Sequence, residues 1–405
     1  MMSGCVPLRR NSSDLPGTAS VVIVGAGIVG IASAWFLKQQ GIHAIVLDAA
    51  NDIGARTTKM SAHCIRAQFS DRDNIAMMTE SLDFYENFAE RCGAGRHLPS
   101  IDLHQQGYLF ASTEPRDEPV FAARIATQRQ AGLDDVELLS GDEGRRRFPW
   151  LSNDIAVATF RIRDGWIDSR LAVEAMAAGA QNPIYLGVTV NRIHVQSGKV
   201  LGVDTTTGRI ATRTVVVAAG PFSRELSPAP LPISLWRRHR LIVSPHTSIP
   251  QSGPVTIDAN TGSHWRPHKG GALLAWAQPE PDAPAHWPVK PDPGFIDLVL
   301  RSDGGVGRLA PFWHDLGRRL RRSDMMLTAG QYTMTPDHRP LIGEAPHIRG
   351  LYLNTGYSGH GIMGAPAGAR LLADLMNGNN EMVNPFAPGR FENQTGNPDI
   401  EQVVI

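Results

Sequence analysis

At 405 residues the chain exceeds the ~250–300 at which a single hydrophobic core usually splits, so two domains are expected. Hydrophobic residues make up 42% and charged residues 19%, a globular balance that excludes a largely disordered chain. Thirty-nine basic and thirty-nine acidic residues cancel, so no net charge recommends nucleic acid or an anionic membrane as partner.

Residues 1–17, with Arg9, Arg10, Asp14 and Pro16, read as a flexible leader. Val21 to Val24 is then a short β-branched strand, Gly25-Ala26-Gly27-Ile28-Val29-Gly30 a glycine turn, and Ile31 to Gln40 a helix stopped by Gly41. Ala44 to Leu47 forms a second strand ending in Asp48, 18 residues after Gly30. Strand, turn, helix, strand and acid in this order make a dinucleotide site. Gly25 makes the tight turn, Gly27 admits a pyrophosphate, Gly30 packs helix on strand, and Asp48 accepts from a ribose. No arginine follows Asp48 to meet a 2′-phosphate, which favours FAD or NAD over NADP.

Thr18 to Leu37 is uncharged and reaches the ~20 residues of a membrane span, but its glycines and Asp48 have no role in such a helix. A signal peptide drawn through Val21 to Ile31 would cut the nucleotide unit apart.

Further along, Asp73 to Cys92 has helical spacing with Ile75, Met78, Leu82, Tyr85 and Phe88 on one face. A strand around Gly107 to Phe110 and a helix over Val120 to Ala131, ahead of the run Val136 to Leu139, follow, and Ser140 with Glu143 marks a capped helix start. Arg170 to Ala180 reads as a helix. A β meander comes next: Ile184 to Ile193, His194 to Val203, and Arg209 to Val217, which runs into Ala218-Ala219-Gly220 and leaves room for a ligand against the backbone. The proline-rich residues 226–293 hold strands at Leu241 to Ser244 and Ala272 to Ala277. After Pro336-Asp337 and a strand at Gly350 to Asn354 comes Gly356-Tyr357-Ser358-Gly359-His360-Gly361, with Pro366 placed as the first residue of a helix. Glycine loop and helix start make a second anion-stabilising site.

The glycine turn, Ile65-Arg66 with Phe69, Val217 to Gly220, and Pro336-Asp337 through Ser358-Gly359-His360-Gly361 together resemble the D-amino-acid oxidase superfamily of FAD-dependent oxidoreductases, over about residues 20–390. The resemblance is to its sarcosine oxidase, dimethylglycine dehydrogenase and glycine oxidase branches. It implies an α/β (α+β) fold in which a Rossmann-like FAD-binding domain carries an inserted substrate domain with a mixed or antiparallel sheet. Residues 18–92, 152–225 and 324–378 are assigned to the first, 93–151 and 226–323 to the second, and 379–405 to a C-terminal tail.

By the same resemblance, Gly25, Gly27 and Gly30 face the pyrophosphate, Asp48 the adenosine ribose, Thr57 and Thr58 the phosphates and ribityl chain, and the Val190 backbone the adenine. Gly220 closes the middle strand, and Gly359, His360, Gly361 and Ile362 hold the pyrimidine end of the flavin. The implied reaction removes a hydride from the carbon beside the nitrogen of a secondary or N-substituted amino acid, to an imine that water hydrolyses. The flavin supplies the difficult chemistry. Oxygen or another acceptor then takes the electrons.

Arg66 matches the sarcosine oxidase arginine that grips the substrate carboxylate. Tyr332 stands where glycine oxidase has an arginine, Met363 where sarcosine oxidase has a lysine, and His63 in place of a small residue, so these complete the candidate substrate site. Gly330 and Met60 replace the cysteine and histidine that tether flavin in relatives, which implies non-covalent FAD. The strand Ala272 to Ala277 lacks the lysine that promotes reaction with oxygen, while Lys269 lies just before it, which weakens an oxidase relative to a dehydrogenase. His338, Arg339 and Trp265 are weaker candidates for the pocket or its entrance.

Two other outcomes use the same scaffold: oxidation of a 2-hydroxy acid or D-amino acid, or a flavin-binding assembly factor without turnover. Cys5, Cys64 and Cys92 are odd in number and widely spaced, so they support neither a disulfide framework nor a zinc site, and a cytoplasmic location is expected.

Overall fold

The computed structural model describes residues 7–93, 100–379, 383–392 and 400–402. Residues 1–6 of the expected leader, Cys5 among them, and 380–382, 393–399 and 403–405 of the expected tail lie outside the described residues.

Val21–Val24 is buried at every position, as a central strand of a parallel sheet must be. It sits in a seven-stranded sheet ordered Arg9–Arg10, Ile184–Leu186, Ala44–Asp48, Val21–Val24, Val215–Val217, Leu351–Thr355 and Leu341–Glu344, parallel throughout except at the last strand. Side chains alternate between two covers. Val21, Ile23 and Val216 share a core with the helices Ile28–Gln39, Ser169–Ala180 and Gly361–Met376. Val22, Val24 and Val217 share another with the antiparallel sheet of Val190–Gln196, Lys199–Thr205 and Gly208–Ala211.

The meander therefore divides where one strand each was expected. Ile184–Leu186 joins the large sheet and Val190–Gln196 the small one, with Gly187 between them at φ +69°. Gly208–Ala211 and Val215–Val217 part in the same way. Nor is the described part of the leader loose, since Arg9 and Arg10 pair with Ile184 and Tyr185 and extend the sheet edge. The expected helix from Asp73 to Cys92 is two, Arg72–Glu86 and Phe88–Gly93, separated at Asn87.

An eight-stranded sheet, ordered Met325–Met334, Ser234–Val243, Gly271–Trp276, Ser263–His268, Val255–Asp258, Tyr108–Ser112, Val157–Arg161 and Glu137–Ser140, forms the second layer. All its pairings are antiparallel except Val255–Asp258 with Tyr108–Ser112. Val157–Arg161 and Met325–Met334 belong here by hydrogen bonding, although their residue numbers fall in the segments 152–225 and 324–378 assigned to the nucleotide side. Leu241, Trp265, Leu274 and Trp276 pack on the helices Phe295–Arg301 and Phe312–Arg319. By alternation, Arg240, His264 and Arg266 turn the other way, toward the nucleotide side.

Pro366 does not open the last helix; Gly361–Met376 starts five residues earlier and holds Pro366 inside. A proline there leaves the carbonyl four residues back without its helical donor. That carbonyl is Ile362 O, and the buried Tyr85 hydroxyl donates to it at 2.7 Å. The helix can thus begin directly behind Ser358-Gly359-His360. Tyr85→Phe should lower stability by about 1–3 kcal/mol by orphaning this carbonyl, read as a lower denaturant midpoint. Adding Pro366→Ala, which restores an N–H, should recover part of the loss; an unchanged midpoint in Tyr85→Phe would contradict the assignment.

Candidate active site

Gly25 has φ +112°, and a Cβ there would lie 2.3 Å from Ala218 O, so this turn admits no side chain. A Cβ on Gly30 would lie 1.9 Å from Gly25 O; this glycine packs helix on turn and, unlike the other residues expected to face the cofactor, does not line the cavity. Ile28 N donates to Thr58 Oγ1 at 3.1 Å, tying the helix start to the following loop. Asp48 accepts from Ala26 N at 2.6 Å and Ala50 N at 2.7 Å, one bond to each carboxylate oxygen. Each oxygen keeps a lone pair for a further donor. Burial raises its pKa above the ordinary 3.8, against those two N–H bonds.

A cavity of about 550 Å³ runs past these groups. Gly25, Gly27, Asp48 and Gly220 line it from the parallel sheet and its turns, Thr57 and Thr58 from the short helix Thr57–Met60, and Val190 from the start of the small antiparallel sheet. Gly359 and His360 from the loop before the last helix, and Gly361, Ile362 and Met363 from its first turn, line it too, and Arg66, His63 and Tyr332 complete the set. The structure thus gathers residues from positions 25 to 363 around one space.

Arg66, 1% exposed, donates through Nη1 to Gln68 O and lies with its guanidinium 3.8 Å from the Phe69 ring centre. Phe69 in turn meets His360 edge-on at 4.8 Å. Burial lowers the pKa of Arg66, offset in part by Tyr108, Glu401 and Asp164. His360 is 2% exposed and its Nε2 has no hydrogen-bond partner among the described residues. Tyr332 lies so close to Gly359 that a Cβ there would sit 2.4 Å from its ring. Cys64 also lines the cavity, where burial pushes its thiol up and keeps it protonated.

His63 is held from both sides. Arg240 Nη1 donates to its Nε2 at 3.1 Å, and since a guanidinium cannot accept, the proton resides on Nδ1, 2.6 Å from Ser169 Oγ. Arg240 also donates to Lys59 O and Ser61 O, both at 2.8 Å. Both ring nitrogens are therefore engaged within the chain, so His63 fixes the loop while its ring also lines the cavity.

The weaker candidates do not line the cavity. Trp265 is in the core beside Trp150 and Trp313, Arg339 pairs with Asp71 and Asp73, and His338 bonds Glu401 O. Sequence reasoning missed Tyr108, His264 and Gln331, which do line it. Strand alternation opposite Trp265 was the available signal for His264.

FAD fits these residues. The helices Ile28–Gln39 and Gly361–Met376 both begin at the cavity without a side-chain cap, leaving their positive ends for anionic groups of a ligand. Gly27 offers backbone close to the first, with the nearest obstacle to a Cβ being Thr58 Oγ1 at 3.3 Å. Asp48 and Val190 line the same cavity and would take the ribose and the adenine.

Burial, reinforced by the Arg266 and Arg240 guanidiniums, lowers the pKa of His63 from 6.5 to about 3. Between those values the unfolded imidazole takes up a proton that the folded one refuses. Its contribution to stability is therefore complete above 6.5 and is lost as pH falls toward 3. His63→Gln should show a smaller drop in denaturant midpoint between about pH 7.5 and pH 5 than the parent chain. An equal or larger drop would contradict the burial argument.

Residues 20–375 match the DAO family, described as FAD dependent oxidoreductase. Among curated proteins the chain is 26% identical to FAD-dependent oxidoreductase domain-containing protein 1 of Xenopus laevis, covering 97% of this chain and 86% of that one. It is 25% identical to glycine oxidase of Bacillus subtilis (strain 168), covering 88% and 92%. Among solved structures it matches L-proline dehydrogenase from P. horikoshii with a TM-score of 0.81 and 25% identity, over 93% of this chain and 99% of that one. With the family match spanning the glycine turn, Arg66 and the His360 loop alike, the chain belongs to the DAO family and is an FAD-dependent oxidoreductase.

Proposed function

We propose that the chain oxidises a secondary or N-substituted amino acid at the carbon next to nitrogen, releasing an imine to hydrolysis, and that Arg66 takes the substrate carboxylate. The observation that carries this reading is the buried Arg66 guanidinium at the cavity wall, beside the Gly359 to Met363 helix start. A planar cation held on Phe69 suits bidentate binding of a carboxylate. The named activities of the glycine oxidase and L-proline dehydrogenase relatives also support an amino-acid substrate.

Bound in the cavity, FAD supplies the hydride acceptor. The chain's own residues orient and exclude water. Among the described residues the only carboxylates lining the cavity are Asp48 and Glu225, both on the parallel-sheet side, so no acidic base faces Arg66. A neutral amine supplies its own electron push, and none is required. Tyr108, Tyr332 and Met363 close the pocket with apolar surface, in keeping with binding that excludes solvent. In this reading the seven-stranded sheet holds the cofactor and the eight-stranded sheet forms the substrate domain.

No lysine lines the cavity among the described residues; Lys269 occupies the hairpin turn between Ser263–His268 and Gly271–Trp276. This supports an acceptor other than oxygen. A Cβ on Gly330 would come within 3.1 Å of Met60 Cβ, so the two positions that tether flavin elsewhere face each other here with no nucleophile. Acid precipitation should therefore release all the flavin. Buried, free Cys64 and Cys92 suit a reducing compartment such as the cytoplasm, which cell fractionation would check.

Arg66→Ala should raise KM for a carboxylate substrate by about a hundredfold, as expected when a buried charge-assisted pair is lost, with flavin content unchanged. Unchanged KM would remove Arg66 from the substrate site.

A further inference from the structure

The segment from Ile65 to Asp71 brings Arg66 to the cavity, and it is pinned by two carboxylates from distant parts of the chain. Asp164, fully buried, accepts from Ala67 N at 3.0 Å and Gln68 Nε2 at 3.1 Å, and pairs with Arg161 at 2.6 Å. Glu401, also fully buried, accepts from Ser70 N and Asp71 N at 3.0 Å and from Ser70 Oγ at 2.6 Å.

The backbone around Glu401 is fixed as well. Its N–H donates to Asp337 O at 3.2 Å, its carbonyl accepts from His338 Nδ1 at 2.9 Å, and Gln402 N donates to Ser70 Oγ at 3.0 Å. Burying a carboxylate is costly unless its bonds are well made. A tail that merely covered surface would place an apolar side chain here. Instead an acid enters beside Asp71, whose own carboxyl caps the helix Arg72–Glu86. Burial and the Glu401 carboxylate push Asp71 up to about 6, while Arg339 acts in the opposite direction. Glu401 also lies near enough to favour the charged form of Arg66.

We propose that Glu401 is a positioning residue for substrate binding: by holding Ser70 and Asp71, the C-terminal segment sets the Phe69 ring and, through it, the Arg66 guanidinium. Three residues separate Arg66 from Ser70, with Phe69 stacked on Arg66 and edge-on to His360, so a shift at Ser70 reaches the cavity wall within a few side chains. Glu401 and Gln402 thus shape the substrate pocket without lining it. This inference rests on the reading of Arg66 as carboxylate anchor.

The test uses the FAD-loaded full chain with benzoate as carboxylate probe and benzamide as its uncharged counterpart, both followed by the change in flavin absorbance. Glu401→Ala should weaken benzoate by about tenfold, the scale of a small misplacement of a binding group, with benzamide affinity and flavin content unchanged. Glu401→Gln, which keeps one acceptor oxygen, should fall between parent and Ala and serves as the deciding variant should Glu401→Ala not fold. Equal weakening of both probes, or of neither, would overturn the positioning role. Arg66→Ala separates the two claims. If it weakens benzoate while the Glu401 variants do not, only the present inference fails; if it leaves benzoate unchanged, the anchor reading fails and takes this inference with it.

Discussion

Three parallel strands with their carboxyl ends at one edge are the constraint on which the rest of the molecule depends. Val215–Val217 lies between Val21–Val24 and Leu351–Thr355, and all three run the same way. The turns that follow the outer two strands consequently open on the same side of the sheet. One leads into the helix Ile28–Gln39 and the other into Gly361–Met376, so two uncapped helix starts, more than three hundred residues apart in the chain, face one cavity. This is the usual location of ligands in parallel sheets. The eight-stranded sheet then closes the space from the opposite side.

That closure is made with arginines. Arg240 and Arg266 project from the sheet toward the nucleotide side, and their donors go to backbone carbonyls of the loop between the glycine unit and Arg66: Lys59, Ser61 and Ala62. Carbonyls satisfy a guanidinium without neutralising it. Positive charge therefore accumulates beside the cavity, which is one reason the pKa of His63 is driven down to about 3. A site built in this way favours a ligand that gathers negative charge, as a dinucleotide and a carboxylate both do.

The glycine turn was legible because its requirement is local: Gly25 and Gly30 each leave no room for a Cβ, and the sequence reports that directly. Arg66 became a candidate through its resemblance to a family, and its place at the cavity wall depends on Phe69, Asp164 and Glu401, contacts that no spacing rule supplies. Pro366 was misread for the same physical reason. Its cost is met by Tyr85, far away in the chain, and a local rule could only see the proline. The division of the meander among two sheets, and of Val157–Arg161 from its neighbours in sequence, is likewise decided by hydrogen-bond partners. His63 lines the cavity as a candidate should, but the hold of Arg240 and Ser169 on its two nitrogens depends on residues over a hundred positions away, which the sequence could not show.

The proposed arrangement puts FAD and an amino acid anchored by its carboxylate in one cavity. The most direct measurement is the visible spectrum of the purified protein without oxygen, before and after sarcosine or proline and, in parallel, the matching amines lacking a carboxylate. Yellow protein that loses its colour with an amino acid and keeps it with the carboxylate-free amine is the expected result. Loss of colour with both alike, or with a hydroxy acid and no amino acid, would contradict it.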